Sequence, residues 1–151
     1  EVVVNEGSES LVDFRVESDS DTHMLFVDGG NNTVGVATSA PTSGLHVDSS
    51  FATAISVKSS DYTATGDDHT LLVDASSGNV TITLPTAVGI GGRMYLIKRL
   101  DGSGNAVNIA ANGSEEIDGS TNPSSVASLG ATTLQSDNSG WWIVAQYILP
   151  P

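Results

Sequence analysis

Short stretches in which apolar and polar residues alternate recur along this chain, and turn-forming residues separate them. The segment 10–17 places Val12, Phe14 and Val16 on one side and charged residues on the other, which is the period of a β-strand buried on one face. The segment 23–28 follows and is apolar on both faces. No stretch repeats apolar residues with the period of a helix. The pattern therefore predicts an all-β protein.

The segment Thr33–Val47 divides the chain into two parts of different character. Up to its end, large apolar side chains are few, and turns such as the Gly- and Asn-rich 28–32 interrupt the strands. A segment of this length and composition cannot bury enough surface to be stable as a monomer. We therefore expect residues 1–49 to form a short β-stalk in which copies of the chain intertwine. The side chains expected at the interface between copies are Phe14, Val16, Met24, Phe26, Val34 and Val36.

Longer strands follow from residue 50 onward. The predicted strands span residues 53–59, 62–65, 69–75, 79–84, 93–100, 106–110, 132–136 and 141–148. Short strands at this spacing, with turn signals between nearly all of them, predict a β-sandwich head of jelly-roll character over residues 50–151. The strands 93–100 and 141–148 are apolar on both faces, so we expect them at the centre of their sheets.

Charge and composition exclude several functional classes. Five Lys and Arg against 18 Asp and Glu give a formal net charge of -13, which repels nucleic acid backbones and anionic membranes. No apolar run approaches the roughly 20 residues that cross a bilayer, so membrane insertion is not expected. The absence of cysteine excludes disulfides and thiolate chemistry, and leaves packing or association to hold the fold. Because the chain begins at Glu1 and not at Met, we interpret it as a processed product or a piece of a longer polypeptide.

The sequence offers no visible reaction chemistry. His23, His46 and His69 lie far apart and lack metal-ligand spacing, and no nucleophile-elbow motif is present. The acidic turns are interpreted as solvated surface, with a cation site as the less favoured reading. We expect no catalytic residues, metal or cofactor, and hence no enzyme. A polysaccharide-degrading enzyme, the least favoured reading, would need two carboxylates about 5–10 Å apart, a separation that the sequence does not reveal.

The adjacent pair Trp141 and Trp142 lies in the last predicted strand. Because neighbouring strand residues face opposite ways, one ring is expected in the core and the other at the surface or at a subunit interface. Core or interface packing is the default reading, and stacking on a sugar ring is the alternative. Both tryptophans are therefore candidate ligand contacts.

Several short motifs follow one another in the first part of the chain, and their order is informative. They are VDFRVE at 12–17, LFVD at 25–28, VGV at 34–36, TSAP at 38–41 and LHV at 45–47. Together they resemble the repeat of tail fibres and other appendage proteins of tailed bacteriophages, which reads roughly D-F-R-V-E, L-F-V-D, V-G-I-G-T-x-x-P and L-H-V and often forms a trimeric β-stalk. The chain departs from that pattern in carrying Ala37 at the place of the usual Gly and in having one copy of the repeat.

The second part is similar to distal knob domains on such fibres. The motifs are YTAT at 62–65, VTITLP at 80–85, YLIKR at 95–99 and GSEEIDG at 113–119. The resemblance implies an extracellular virion structural protein: a homotrimeric segment of a tail fibre, baseplate or capsid decoration that presents its head for host attachment or particle decoration. Its partners would be copies of itself, other virion proteins and a host surface glycan or receptor. The alternative is a glycan-binding module of a secreted adhesin or an extracellular filament subunit.

Overall fold

The computed structural model describes residues 12–150 and divides the chain into two compact units, Glu1–Ala52 and Thr53–Pro151. The boundary predicted from sequence lies after residue 49. The first two residues of the predicted strand 10–17 fall outside the described range. The described residues are all-β, and no helix among them is long and apolar enough to cross a membrane.

The first unit contains one sheet of four short strands in the order β1-β2-β3-β4. The strands are β1 (Phe14–Val16), β2 (Leu25–Asp28), β3 (Thr33–Val36) and β4 (Leu45–Val47). The first three pair antiparallel, and β4 pairs parallel with β3. Their register places apolar residues at every strand position on one face, which we call the valine-rich face: Phe14, Val16, Leu25, Val27, Val34, Val36, Leu45 and Val47.

The same register places two of the expected interface residues on the other face. Phe26 lies opposite Arg15 and Gly35 and is buried within its own chain. The His23 ring packs nearly perpendicular to the Phe26 ring at a centroid distance of 5.3 Å. Met24 directly precedes β2 and by alternation lies on the Phe26 side. The six residues expected at the interface therefore do not share one face of the sheet. Leu25 and Val27 lie on the face of Phe14 and Val16, because pairing register decides which face of a strand joins its neighbours.

The connection between the parallel strands β3 and β4 runs over the Phe26 side of the sheet. Two adjacent parallel strands need a connection that crosses one sheet face, and here residues 37–44 provide it. Its closest approach is at Gly35, where a Cβ would lie 2.6 Å from the Thr38 carbonyl oxygen. The crossing therefore covers the Phe26 side and leaves the valine-rich face open within this unit.

The second unit is a sandwich of two sheets. The five-stranded sheet has the order β13-β12-β9-β7-β5 and the four-stranded sheet the order β11-β10-β8-β6. The first comprises β5 (Ile55–Lys58), β7 (Thr70–Val73), β9 (Met94–Arg99), β12 (Ala131–Ser136) and β13 (Trp141–Tyr147). The second comprises β6 (Tyr62–Thr63), β8 (Val80–Thr83), β10 (Val107–Ala110) and β11 (Ser124–Val126).

From β5 to β10 the chain alternates between the two sheets. Strands β5, β7 and β9 consequently pair in parallel, as do β6, β8 and β10. The last three strands pair antiparallel with their neighbours and complete both sheets. The core lies between the sheets and consists mainly of alternate residues of their strands: Leu71, Val73, Val80, Ile82, Tyr95, Ile97, Val107, Ile109, Leu134 and Trp141.

One ion pair lies at the end of this core. The buried Arg99 guanidinium contacts Asp101 at 3.1 Å and donates to the Ser103 carbonyl at 2.8 Å. Asp101 also accepts the Ala75 backbone N–H at 2.8 Å. Arg99 and then Ser103 hold the pKa of the Asp101 carboxyl well below its usual range. The pair therefore links the end of β9 to the turn that follows β7.

All eight strands predicted for the second part are present, each within two residues at either end. The prediction that 93–100 is central is confirmed, since β9 is the middle strand of five. The same prediction for 141–148 was wrong, because β13 is an edge strand. Its outward residues Trp142, Val144 and Tyr147 are apolar yet exposed. Strand β11 was missed, since Ser124 and Ser125 precede its one apolar residue, Val126.

We predict that Gly35→Ala destabilises the first sheet by about 1–3 kcal/mol, because the new methyl group would force the Thr38 backbone away from β3. Amide hydrogen exchange of residues 33–47 measures the effect. Gly44→Ala is the matched control, since a Cβ there meets nothing within 4 Å. Equal exchange in the two variants would contradict the close approach.

Candidate functional site

The valine-rich face carries four of the six side chains expected at an oligomer interface: Phe14, Val16, Val34 and Val36. Phe14 remains 39 % exposed and Val16 43 % exposed. The opposite face carries Arg15, Asp28 and His46 at strand positions. The sheet is thus amphipathic, with one face suited to water and one that gains free energy when another apolar surface covers it.

Histidines and carboxylates do not assemble into a metal centre in the part of the chain that the structure describes, where no three such groups come together. His23 packs on Phe26, and the His46 ring nitrogen accepts the Thr42 backbone N–H at 3.4 Å. His69 contacts the Thr70 hydroxyl at 3.1 Å. Each of the three histidines therefore has a local partner.

The two tryptophans lie on opposite sides of β13, as strand alternation predicts. Trp141 is only 1 % exposed, lies 5.5 Å from the Tyr95 ring between centroids, and donates its indole N–H to the Pro85 carbonyl at 3.2 Å. Trp142 is 50 % exposed. Of the two candidate ligand contacts, Trp142 is therefore the one with an accessible ring.

A turn fixes the Trp142 ring. Its indole N–H donates to Asp137 Oδ2 at 2.7 Å. Asp137 Oδ1 accepts the backbone N–H groups of Ser139 and Gly140 and the Ser139 hydroxyl, all within 2.9 Å. These bonds, led by that from Trp142, hold the pKa of Asp137 well below its usual range. The carboxylate thus orients an exposed aromatic ring.

A hollow of about 340 Å³ lies beside this ring, and we call it the tryptophan hollow. Its lining residues are Ser114, Glu115, Glu116, Gly119, Asp137, Ser139, Gly140, Trp141 and Trp142.

The segment 114–119 forms one wall of the tryptophan hollow. The Glu116 carbonyl accepts the Trp141 backbone N–H at 2.9 Å, and the Asp118 N–H donates to the Trp141 carbonyl at 2.9 Å. Glu115 also lines the hollow, and its carboxylate accepts the Thr86 hydroxyl and the Ala87 N–H. Glu116 itself is exposed. An aromatic ring, an exposed carboxylate and serine hydroxyls thus surround one space, and such groups bind a sugar ring by stacking and hydrogen bonding.

Sequence reasoning found Trp142 but not its companions. Neither Asp137 nor Glu116 was predicted as a site residue, and the fold brings both to β13. A signal for Asp137 was present, since an Asp followed by Ser and Gly favours a turn closed by the Asp side chain, immediately before the tryptophan pair. No local signal places Glu116 there.

No family model matches the chain, and no curated protein sequence matches it. Any functional assignment therefore rests on the sequence resemblance and on the geometry of these two sites.

We predict that the Asp137 carboxyl, which accepts the Trp142 indole N–H, titrates well below the ordinary aspartate pKa of about 3.9. The hydrogen bond from the indole N–H stabilises the charged form of the Asp137 carboxyl. This hydrogen bond is therefore fully present above about pH 3.9 and is lost as the pH falls through the lowered pKa of Asp137. The indole N–H signal of Trp142, followed by NMR from about pH 6 to about pH 2, measures this. Asp137→Asn should abolish the titration. A midpoint at or above 3.9 would contradict the described hydrogen bonds.

Proposed function

We propose that this chain is a virion structural protein, a homotrimeric segment of a tailed-bacteriophage fibre or related appendage. Residues 1–49 associate as the stalk, and the β-sandwich serves as the head for host attachment or particle decoration. The phage assignment comes from the sequence resemblance. The self-association that it requires is supported by one observation, the valine-rich face.

The physical argument is that this sheet has too little core of its own. Among the described residues of the first unit, Phe26 is the single hydrophobic side chain that is buried. Copies that place their valine-rich faces together would supply the missing core without a disulfide. Closure around a symmetry axis would also cover the edges of β1 and β4.

The trimeric state and the jelly-roll character of the head belong to the same proposal. The trimer follows from the resemblance, with closed symmetry as its physical basis. The jelly roll is an antiparallel architecture. The head departs from it in two places, because β5, β7 and β9 pair in parallel and so do β6, β8 and β10.

We predict that Phe14→Asp abolishes the oligomer at micromolar concentration, because it buries a charge in the proposed interface. Light scattering measures this, with about 47 kDa expected for three unmodified chains of 15.5 kDa each. Met24→Asp is the matched control. Its side chain is 46 % exposed but lies on the other side of the sheet, so the oligomer should persist.

An unchanged oligomer with Phe14→Asp would refute the proposed stalk. An oligomer lost equally in both variants would show that the valine-rich face is not the specific contact. A monomeric unmodified chain would favour the alternative function below.

A glycan-binding module of an adhesin or filament is the second candidate function. The observation that favours it is the tryptophan hollow, where the fixed and exposed Trp142 ring lies beside Glu116. In this reading the ring stacks on a sugar and the carboxylate accepts its hydroxyl groups.

For this candidate we predict that Trp142→Ala weakens binding of a responsive sugar by up to about tenfold, since lost aromatic stacking costs about 0.5–1.5 kcal/mol. Titration of the full chain with a panel of mono- and disaccharides, followed by NMR, measures this. Leu129→Ala is the control, as an exposed apolar residue outside the hollow. The absence of any saturable response from the unmodified chain would reject this candidate.

A further inference from the structure

The two sheets of the sandwich differ in the faces that they turn away from the core. The outward strand positions of the four-stranded sheet are mostly hydroxyl and amide residues: Thr63, Thr81, Thr83, Asn108 and Ser125. This is the apolar-in, polar-out alternation of a sheet with one solvated face. The four-stranded sheet therefore needs no further cover.

The outward face of the five-stranded sheet lacks this alternation. We call it the head face. Its uncharged polar strand residues are Thr70, Thr133 and Gln135, and its apolar residues include Ile55, Val57, Leu72, Leu96, Trp142, Val144 and Tyr147. Val57 is 61 % exposed, and Ile55, Val144 and Tyr147 are also exposed. Strands that are apolar on both faces are typical of sheets that are covered on both sides. The head face thus has the composition of a covered surface.

The position of the acidic residues favours a second copy of this chain as the cover. All Asp and Glu residues of the second unit lie in the connections between its strands, and none lies in the strands. The one charged residue among the outward strand positions of this sheet is Lys98, which donates to the Leu129 carbonyl and lies 6.0 Å from the centre of the Tyr147 ring. No strand position of the head face carries a carboxylate, and at its edge Asp137 is bonded to the Trp142 indole. Two head faces can therefore meet with few carboxylates between them, despite the net charge of -13.

The areas of the valine-rich face and the head face also favour a contact between copies that uses both faces. From strand spacings of about 4.8 Å and rises of about 3.3 Å, the valine-rich face spans roughly 200–250 Å² and the head face roughly 300–550 Å². A stable interface takes about 800 Å² from each partner. Neither face reaches this value alone, but their sum approaches it. Two contacts in one chain also strengthen each other, because the first raises the effective concentration for the second.

We propose that the head face is a second self-association surface, so that the heads as well as the stalks of neighbouring copies are in contact. This inference rests on the proposed function, because the head face alone is too small for a stable oligomer. It assigns the β-sandwich a structural role in the assembly in addition to presenting a surface.

Cysteine labelling of the full chain tests this, because the chain has no cysteine of its own. Val57→Cys and Val144→Cys place single thiols at opposite edges of the head face. Val88→Cys is the matched control, with the same residue type and 59 % exposure in a turn outside that face. The rate of maleimide labelling is measured along a dilution series, together with the solution mass.

We expect Val57→Cys and Val144→Cys to react at least tenfold more slowly than Val88→Cys in the oligomer, and equally fast once dilution yields the monomer. If either variant fails to fold, the other carries the test. An oligomer in which all three thiols react at the same rate would overturn the inference and leave the proposed function standing. Protection that persists in the monomer would overturn it as well, since the chain itself would then cover the face. A chain that is monomeric at every concentration would refute both proposals.

Discussion

Burial of one apolar sheet face against another is the interaction on which this structure depends. The chain has no disulfide, and among its described residues there is no helix that could cover a sheet. In the second unit the two sheets cover each other, and most of their inward apolar residues are buried. The sheet of the first unit and the outer side of the five-stranded sheet lack such a partner within their own units. The proposed assembly extends to these surfaces the same principle that holds the sandwich together.

Local pattern was enough to predict the strands, but not how they pair. Alternation of apolar and polar residues located the strands of the second unit, because this pattern lies within each strand and does not depend on distant parts of the sequence. Register depends on partners far along the chain, so alternation within 23–28 did not reveal that Leu25 and Val27, and not Met24 and Phe26, share a face with Phe14. For the same reason apolar residues on both faces of β13 suggested a central strand, whereas the strand lies at an edge.

The candidate ligand site divides in the same way. Alternation predicted that one tryptophan would be exposed, and the structure identifies it as Trp142. Its hydrogen bond to Asp137 spans five residues and has a signal in the turn that precedes β13. Glu116 reaches the hollow through a parallel bridge between Ile117 and Trp141, a contact that depends on the whole sandwich. Residues brought together over such distances are not visible to local pattern.

The alternation of β5 to β10 between two sheets has a consequence for the time course of folding. Neighbouring strands in a sheet are separated in sequence by a strand of the other sheet, so Thr70 of β7 pairs with Leu96 of β9. The other edge of β9 pairs with β12, which follows later in the chain. Closing such long loops costs conformational entropy before the packing of the strands can offset that cost. Folding is therefore slow. During synthesis, Tyr95 and Ile97 emerge well before β12 can complete their sheet. The nascent chain therefore passes through a stage in which its future core is open to neighbouring chains.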